Sequence, residues 1–536
     1  MIGRATPCDE GVIASTKIAG GCPRRSKPWV LAATILGSSM AFIDGAAVSV
    51  ALPVIQTELA ASFSTMQWVV NSYTLLLAAL MLIGGSAGDH FGRRWIFVAG
   101  VVIFAAASVA CGLSANAWHL VAARALQGIG GACLIPNSLA IIGATFDDEE
   151  KGRAIGTWAG FSAIAGAIGP VLGGWLVDAI GWQAIFFVNV PIALATVLIA
   201  ARHMPETRDR GAVAALDWRG AFLAACGLGA LAFGLIQAGT LGWRDPVVVG
   251  ALIASALVLF GFVWVEARGA APMMPLGFFR SRTFSGVNLL TLLLYAALGG
   301  VLFFLPFNLI QVRGYSASQA GAAFLPFTII MGVLSRWSGG LRDRFGARRP
   351  LIFGPVIAAI GLALLVLPGL GGSYWTGFFV PMVVLGLGMA VTVAPLTTAV
   401  MGAVPPDRSG VASGINNAVA RVATLLAVAS FGTIGMAFFS HVLAGQAAML
   451  DLGPEAARAL GVLGQSLTGV VLPPDIPASD RAALETAIRT SFLSSFRLLM
   501  LIAAGLALAG SLCAAFTVDS NGERQRGAGP GAPASG

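Results

Sequence analysis

The sequence predicts an all-α membrane protein of 14 transmembrane helices: two six-helix bundles with a two-helix insert between them. Three observations predict it. The chain has 536 residues, 57% of them hydrophobic and only 10% charged. A soluble domain carries about 25% charged residues, so lipid must be the main solvent here. The apolar runs are continuous over about 20 residues and do not alternate, which makes them helices rather than barrel strands. One phrase occurs twice between such runs. It reads Gly85-Ser86-Ala87-Gly88-Asp89-His90-Phe91-Gly92-Arg93-Arg94 first, then Gly339-Gly340-Leu341-Arg342-Asp343-Arg344-Phe345-Gly346-Ala347-Arg348-Arg349. The copies stand 254 residues apart. A repeat that long in a membrane chain marks two similar bundles.

In chain order the spans are 29–53, 66–87, 95–113, 118–144, 154–177, 184–201, 220–240, 247–265, 284–310, 318–338, 351–369, 376–402, 410–436 and 492–517. A tail, 1–28, precedes them; it is too polar and long for a cleaved signal peptide, and the first helix itself is the expected targeting signal. The first six spans form a bundle over 29–201. A basic loop with Arg202, Arg208, Arg210 and Arg219 opens segment 202–283, which holds the two-helix insert. The last six spans fall within 284–517, with a long loop at about 437–491. An acid-and-arginine stretch at 480–489 reads as a short amphipathic surface helix. The Gly/Pro/Ala-rich tail 518–536 is expected to be disordered. In each bundle the repeated phrase joins the second and third helices.

The net charge of +8 is an orientation signal. With the N-terminus inside, 24 of the 32 Lys and Arg fall on the inner side and six on the outer. The positive-inside rule therefore sets both termini in the cytoplasm and removes the nucleic-acid reading. Cys8 and Cys22 lie in the inner tail, and Cys111, Cys133, Cys226 and Cys513 lie in helices, so no disulfide framework is implied.

Asp44 is the only one of 24 acids deep inside a predicted span. A carboxylate in lipid costs about 3 kcal/mol or more unless it is paired, hydrated or protonated. Such residues carry protons or ions, or form structural pairs. Arg124 is the natural partner. It lies six residues from the outer start of helix four, roughly 9 Å deep; Asp44 lies nine residues before Pro53, roughly 14 Å deep. Arg421 is mid-span in helix thirteen with no buried acid in its half. It can serve a structural role or meet an anionic group.

The loop phrases offer Gly85, Asp89, Gly92, Arg93, Arg94, Gly339, Asp343, Gly346, Arg348 and Arg349 as a cytoplasmic gate. Their glycines permit a tight turn, and their carboxylates can cap a helix or pair with arginines. Helix five carries Gly166, Gly169, Pro170, Gly173 and Gly174, small residues that let helices touch backbone to backbone, with a proline that bends the helix. Four scattered histidines make no metal pattern, so no metal site is expected. Lys17, Lys27 and Lys151 are the only lysines, and none sits in a phosphate-binding loop, so no ATPase engine is visible. Gly128-Ile129-Gly130 lies within a membrane helix and reads as packing.

Together these residues resemble the major facilitator superfamily, and within it the 14-helix drug:proton antiporters, over about residues 29–517. The phrases at Asp89 and Asp343 look like its repeated loop motif. Arg124-Ala125-Leu126-Gln127-Gly128 resembles its helix-four arginine motif, linked there to proton transfer. Gly169-Pro170 through Gly174 resembles the antiporter motif, and Asp44 through Ala51-Leu52-Pro53 the helix-one signature of the 14-helix group. Trp68 through Tyr73 and Phe186 through Pro191 also look like that group. Six positions depart from the pattern: His90 for Arg, Ala165 for Gly, Ala46 and Ser49 for Thr and Asn, and Gln183-Ala184 for Arg-Trp.

The resemblance implies a proton-coupled exporter of hydrophobic or amphipathic small molecules, working by alternating access in a bacterial cytoplasmic membrane. Asp44 and Arg124 would couple the proton. Trp68, Tyr73, Trp158, Asn308, Asn417 and Arg421 would line the substrate cavity. A specific exporter of one metabolite is the alternative, and a nutrient symporter a more distant one. No clustered catalytic set argues for an enzyme. The expected partners are a small-molecule substrate and the bilayer, with no cofactor beyond the proton gradient. The protein is expected to be a monomer, and the sequence identifies no periplasmic adaptor.

Overall fold

The computed structural model describes residues 26–208, 216–269, 272–334, 346–405, 408–449, 467 and 478–518. Among these residues all regular structure is helical. The first bundle comprises α1 (Lys27–Glu58), α2 (Phe63–Phe91), α3 (Arg93–Gly112), α4 (Ala117–Thr145), α5 (Asp148–Ala179) and α6 (Ala184–His203). The insert is α7 (Trp218–Leu241) and α8 (Pro246–Arg268). The second bundle comprises α9 (Arg282–Val312), α10 (Ala317–Leu334), α11 (Arg348–Leu364), α12 (Trp375–Gly402), α13 (Ser409–Ala447) and α14 (Ala478–Thr517). Thirteen of these are long and apolar enough to cross a membrane. The other, α11, has 17 residues, a rise of about 26 Å. The tails, Gly339 and Asp343 lie outside the described residues.

Polar residues fix where helices begin. A starting helix leaves backbone N–H groups without partners. Ser62 takes the Thr65 N–H at 3.1 Å, Asn116 the His119 N–H at 2.9 Å, and Asp217 the Gly220 N–H at 2.8 Å. Ser316 and Gln319 form a reciprocal capping box at the start of α10. Between α2 and α3 the chain turns at Gly92, whose φ of +116° favours glycine. In α9 the final turn, Asn308–Val312, widens to i→i+5 bonding just after Pro306, which has no N–H to give.

Two helices extend into the range read as the long outer loop. Helix α13 continues to Ala447, and α14 begins at Ala478. The stretch 480–489 is thus the first turns of α14, not a separate surface helix. The hydroxyls of Thr486, Thr490 and Ser494 each donate to the carbonyl four residues back, so these polar residues do not stop the helix. Leu484 and Ala487 are buried beneath it.

The cores are distributed unevenly along the bundle axis. One large cluster joins both halves at the ends read as outer. It holds Val50, Leu52 and Phe63 from the first bundle, and Phe303, Phe307 and Phe324 from the second. Phe63 packs within 6 Å, centroid to centroid, of Phe303, Phe304 and Phe307. Toward the other end the cores are separate. Val30, Met81, Phe97 and Ile141 belong to the first bundle's own cluster, and Phe284, Leu351, Leu396 and Ile415 to the second's.

Two helix pairs make the longest contacts between the halves. Helices α5 and α10 approach backbone to backbone: a Cβ on Gly174 would overlap the Ala317 carbonyl, and one on Gly321 the Pro170 carbonyl. Across the same seam Asp178 accepts from the N–H groups of Ala317 (3.1 Å) and Ser318 (2.8 Å). Helices α2 and α13 run alongside each other, with Gln67 donating to Val428 O at 2.6 Å.

Candidate functional site

Asp44 is 0% exposed on α1 and Arg124 is 1% exposed on α4. The depths counted in sequence differ by about one turn; in the fold the two form a direct ion pair. Three neutral residues complete the cluster. Gln127 Nε2 donates to Asp44 Oδ1 at 2.8 Å, and Asn189 Nδ2 donates to the same oxygen at 3.3 Å. Both amides also donate to Ser108 Oγ, at 2.8 and 3.1 Å. Arg124 Nη1 donates to Gln127 Oε1 at 2.6 Å, and its Nε to Val69 O at 3.3 Å. The guanidinium lies over Tyr73, with Cζ 4.2 Å from the ring centroid. Five helices of the first bundle contribute.

Every one of these partners of Asp44 is a donor. The arrangement therefore suits a carboxylate, and a proton on it would displace a donor. A buried pair held this way is costly to break on one side, about 3–5 kcal/mol, because the remaining charge is stranded. Protonating Asp44 thus requires the surrounding side chains to rearrange.

The glycines of α5 hold α1 in place around Asp44. A Cβ on Gly169 would come 2.7 Å from Ala46 Cβ, and one on Gly173 2.7 Å from Ala47 Cβ. Ala46, one of the departures from the family pattern, therefore faces α5. Gly174 and Pro170 make the approach to α10 described above, whereas Gly166 has open space around it. One glycine-rich run thus touches both the helix of Asp44 and the opposite half.

The first loop phrase closes on its own bundle. Arg93 Nε donates to Asp89 Oδ1 at 2.7 Å, and its Nη1 to Ala140 O on α4 at 3.4 Å. Arg94 Nη1 donates to Met204 O at 3.1 Å, and its backbone N–H to Glu206 Oε1 at 3.2 Å. The tight approach falls on Gly84 and Gly88, where a Cβ would overlap the Ala132 carbonyl and the Asn137 amide; Gly85 makes only ordinary contact with Pro136, at 3.5 Å. Of the second phrase, Gly346 turns at φ +71°, Arg348 Nη2 donates to Ala515 O at 2.6 Å, and Arg349 is exposed.

The six residues read as cavity-lining are scattered. Trp68 is half-buried near Phe233 of the insert, centroids 6.4 Å apart. Tyr73 is buried under Arg124. Trp158 is buried and donates to Ser38 Oγ at 3.1 Å. Asn308 is fully buried at the widened turn of α9, and neither side-chain polar atom has a partner. Asn417 is exposed and donates to Ser413 O at 3.0 Å. Arg421 is half-buried on α13. An apolar cavity of about 370 Å³ lies instead between α2, the insert, α9 and α13, with Ala79, Leu228, Phe262, Leu289 and Ala418 in its wall. Among the described residues no group of three or more His, Cys, Asp or Glu could hold a metal.

Sequence reading placed Gln127 and Asn189 only within family-like motifs, without a role at Asp44, and missed Ser108. Gln127 carried the clearest signal: three residues after Arg124, it shares that residue's helix face.

Comparison with known proteins gives four findings. The Major Facilitator Superfamily profile matches residues 34–428. The chain is 34% identical over 500 residues to the tetracenomycin C resistance and export protein of Streptomyces glaucescens, covering 92% of each chain. It is 34% identical over 420 residues to the multidrug resistance protein Stp of Mycobacterium tuberculosis (strain CDC 1551 / Oshkosh), covering 78% of each. In fold it is similar to a bacterial homolog of the human lysosomal transporter Spinster, solved inward-facing and unoccupied, with a TM-score of 0.62 and 18% identity over 92% of this chain and 98% of that one.

Proposed function

Because this chain belongs to the Major Facilitator Superfamily, we propose that it exports hydrophobic or amphipathic small molecules across a bacterial cytoplasmic membrane in exchange for protons. The observation that carries the coupling is the buried Asp44–Arg124 pair with its shell of donors. Both termini lie in the cytoplasm on this reading, and the protein works as a monomer powered by the proton gradient alone.

Shared packing at the outer ends and separate cores at the inner ends fit an inward-facing conformer. In it Asp44 is charged and paired, having released its proton inward, and the cavity takes substrate from the cytoplasm or inner leaflet. The halves then rock, parting at the α5–α10 seam and closing at the loop phrases. A proton from outside neutralises Asp44, frees Arg124, and substrate leaves. The return to the inward-facing form carries the proton in. Differential protonation of the two states is what lets the gradient bias the exchange.

Export fits the names borne by the two relatives, one for a single antibiotic and one for multidrug resistance. The first of these names supports the second reading, a specific exporter of one metabolite. Transport in proteoliposomes under an imposed pH gradient tests the coupling, using tetracenomycin C and a panel of aromatic antibiotics. Wild type should drive uphill transport. Asp44→Asn should lose it while still inserting and exchanging substrate down its own gradient. Undiminished uphill transport by that variant overturns the coupling, and the number of compounds carried separates the two export readings.

A further inference from the structure

Arg421 occupies a particular place on α13. Three contacts define the face that α13 turns toward α2. A Cβ on Gly414 would come 3.0 Å from Leu82, the Val428 carbonyl accepts from Gln67, and Gly432 lies against the Gln67 amide. Residues 414, 421, 428 and 432 are separated by seven, seven and four positions, which places them within an arc of about 40° around the helix, with Arg421 near its middle. Arg421 therefore points at the boundary between the halves, level with the middle of α2. It is twelve residues from Ser409, about 18 Å along the axis in a hydrocarbon core about 30 Å thick. The guanidinium is too deep to reach either surface.

Its surroundings leave the charge available. Arg421 has no hydrogen-bond or ion-pair partner among the described residues, and it is half-buried rather than sealed. Its charge reaches Tyr73 on α2 and Tyr295 on α9. The buried carboxylate of the first bundle, Asp44, is already satisfied by Arg124, Gln127 and Asn189. Arg124 in turn covers the ring of Tyr73. One turn before Arg421, Ala418 lines the apolar cavity. A guanidinium at membrane depth that faces the boundary between the halves is met by water or by an anion.

We propose that Arg421 is an anion-binding subsite on the transport path, and that the preferred substrates carry a carboxylate or phenolate on an apolar body. This rests on the export reading and names its substrate class. The guanidinium fork would take the anionic oxygens in a bidentate contact, the Tyr73 and Tyr295 hydroxyls would supply further donors, and the apolar cavity would take the body. The site lies near Tyr73, on whose ring Arg124 rests. An anion bound there and the proton on Asp44 act on neighbouring charges, as exchange requires.

The test is equilibrium binding to the purified full-length protein in detergent, without a gradient. The probes are the fluorescent acid anthracene-9-carboxylate and its methyl ester, which keeps the apolar body and loses the charge. Wild type should bind the acid about tenfold or more tightly than the ester. Arg421→Gln should lose that preference while its affinity for the ester stays within about twofold, and Arg421→Lys should retain part of it. Equal affinity of wild type for acid and ester overturns the proposal, with no variant needed. So does absence of saturable acid binding, or an Arg421→Gln protein that weakens acid and ester alike. Because no gradient is involved, failure here leaves the Asp44 coupling test standing, and failure there leaves this result standing.

Discussion

Gln127 bridges both members of the buried pair: its amide nitrogen lies 2.8 Å from Asp44 Oδ1, and its amide oxygen accepts from Arg124 at 2.6 Å. A neutral side chain thus fixes the relative position of two opposite charges. It also ties them to Ser108 on α3. Hydrogen bonds to charged groups are worth about 1.5–3 kcal/mol each, more than those between neutral groups. Gln127→Ala should therefore lower the melting temperature in detergent and reduce gradient-driven transport by about tenfold or more. Arg124→Lys should be milder in stability but lose the fork geometry that meets Gln127 and Asp44 together. A folded Gln127→Ala protein with wild-type transport would show that the bridge is dispensable.

What the sequence discloses here depends on how rare a residue type is in lipid. Asp44 and Arg124 stand out because charges in apolar spans are few, and counting residues from the helix ends suffices to bring them to similar depth. Gln127, Asn189 and Ser108 do not stand out, since many spans carry neutral polar residues that bond to their own backbone, as Thr74 does to Val70 O. Helix rotation is the other hidden quantity. Helices apolar on all sides give no period from which to tell cavity from lipid, and Trp68, cavity-lining by sequence, packs near the insert. The repeated phrase gave the two-bundle arrangement correctly, because its spacing is independent of rotation. It did not reveal that Asp89 pairs with Arg93 within its own half.

Glu206 gives a pH dependence that can be signed. It lies in the segment after α6, outside the membrane-spanning helices. Burial pushes its carboxyl above the usual value of 4.5, while the backbone N–H groups of Arg94 and Thr207 pull it partly back. Its Oε2 is buried without a partner. The folded protein therefore binds this proton more readily than the unfolded chain. The resulting stability is fully present below pH about 4.5 and is lost as pH rises through the folded value. Glu206→Gln keeps an acceptor for both N–H groups and removes the titration. Melting curves in detergent should show wild type losing more stability than the variant between pH about 4.5 and 7. Parallel curves would rule Glu206 out as the source.

Two carboxylates at opposite ends of the bundle should bias the halves differently. Asp178 belongs to the seam that is closed here, where it caps the first turn of α10 from the other half. Asp89 lies at the end where the cores are separate, paired with Arg93 four residues on, with side-chain exposures of 37% and 19%. A partly exposed pair across a turn is worth only about 0.2–1 kcal/mol, so its loss alone has little effect on this conformer. A capping carboxylate is worth about 0.5–2 kcal/mol, and the exposure of Asp178 favours the lower part of that range. Asp178→Ala should thus shift the population away from this conformer by about twofold to tenfold. Spin labels at Glu58 and Gly314 would then move apart, and labels at Phe91 and Arg349 would move closer. Asp89→Ala should do the reverse at the inner pair if Asp89 latches that end when it is closed. The comparison needs no substrate, and each variant serves as the other's control for folding. If both variants shift the two label pairs in the same direction, the carboxylates do not act as opposing latches, and the rocking of the halves must be controlled elsewhere.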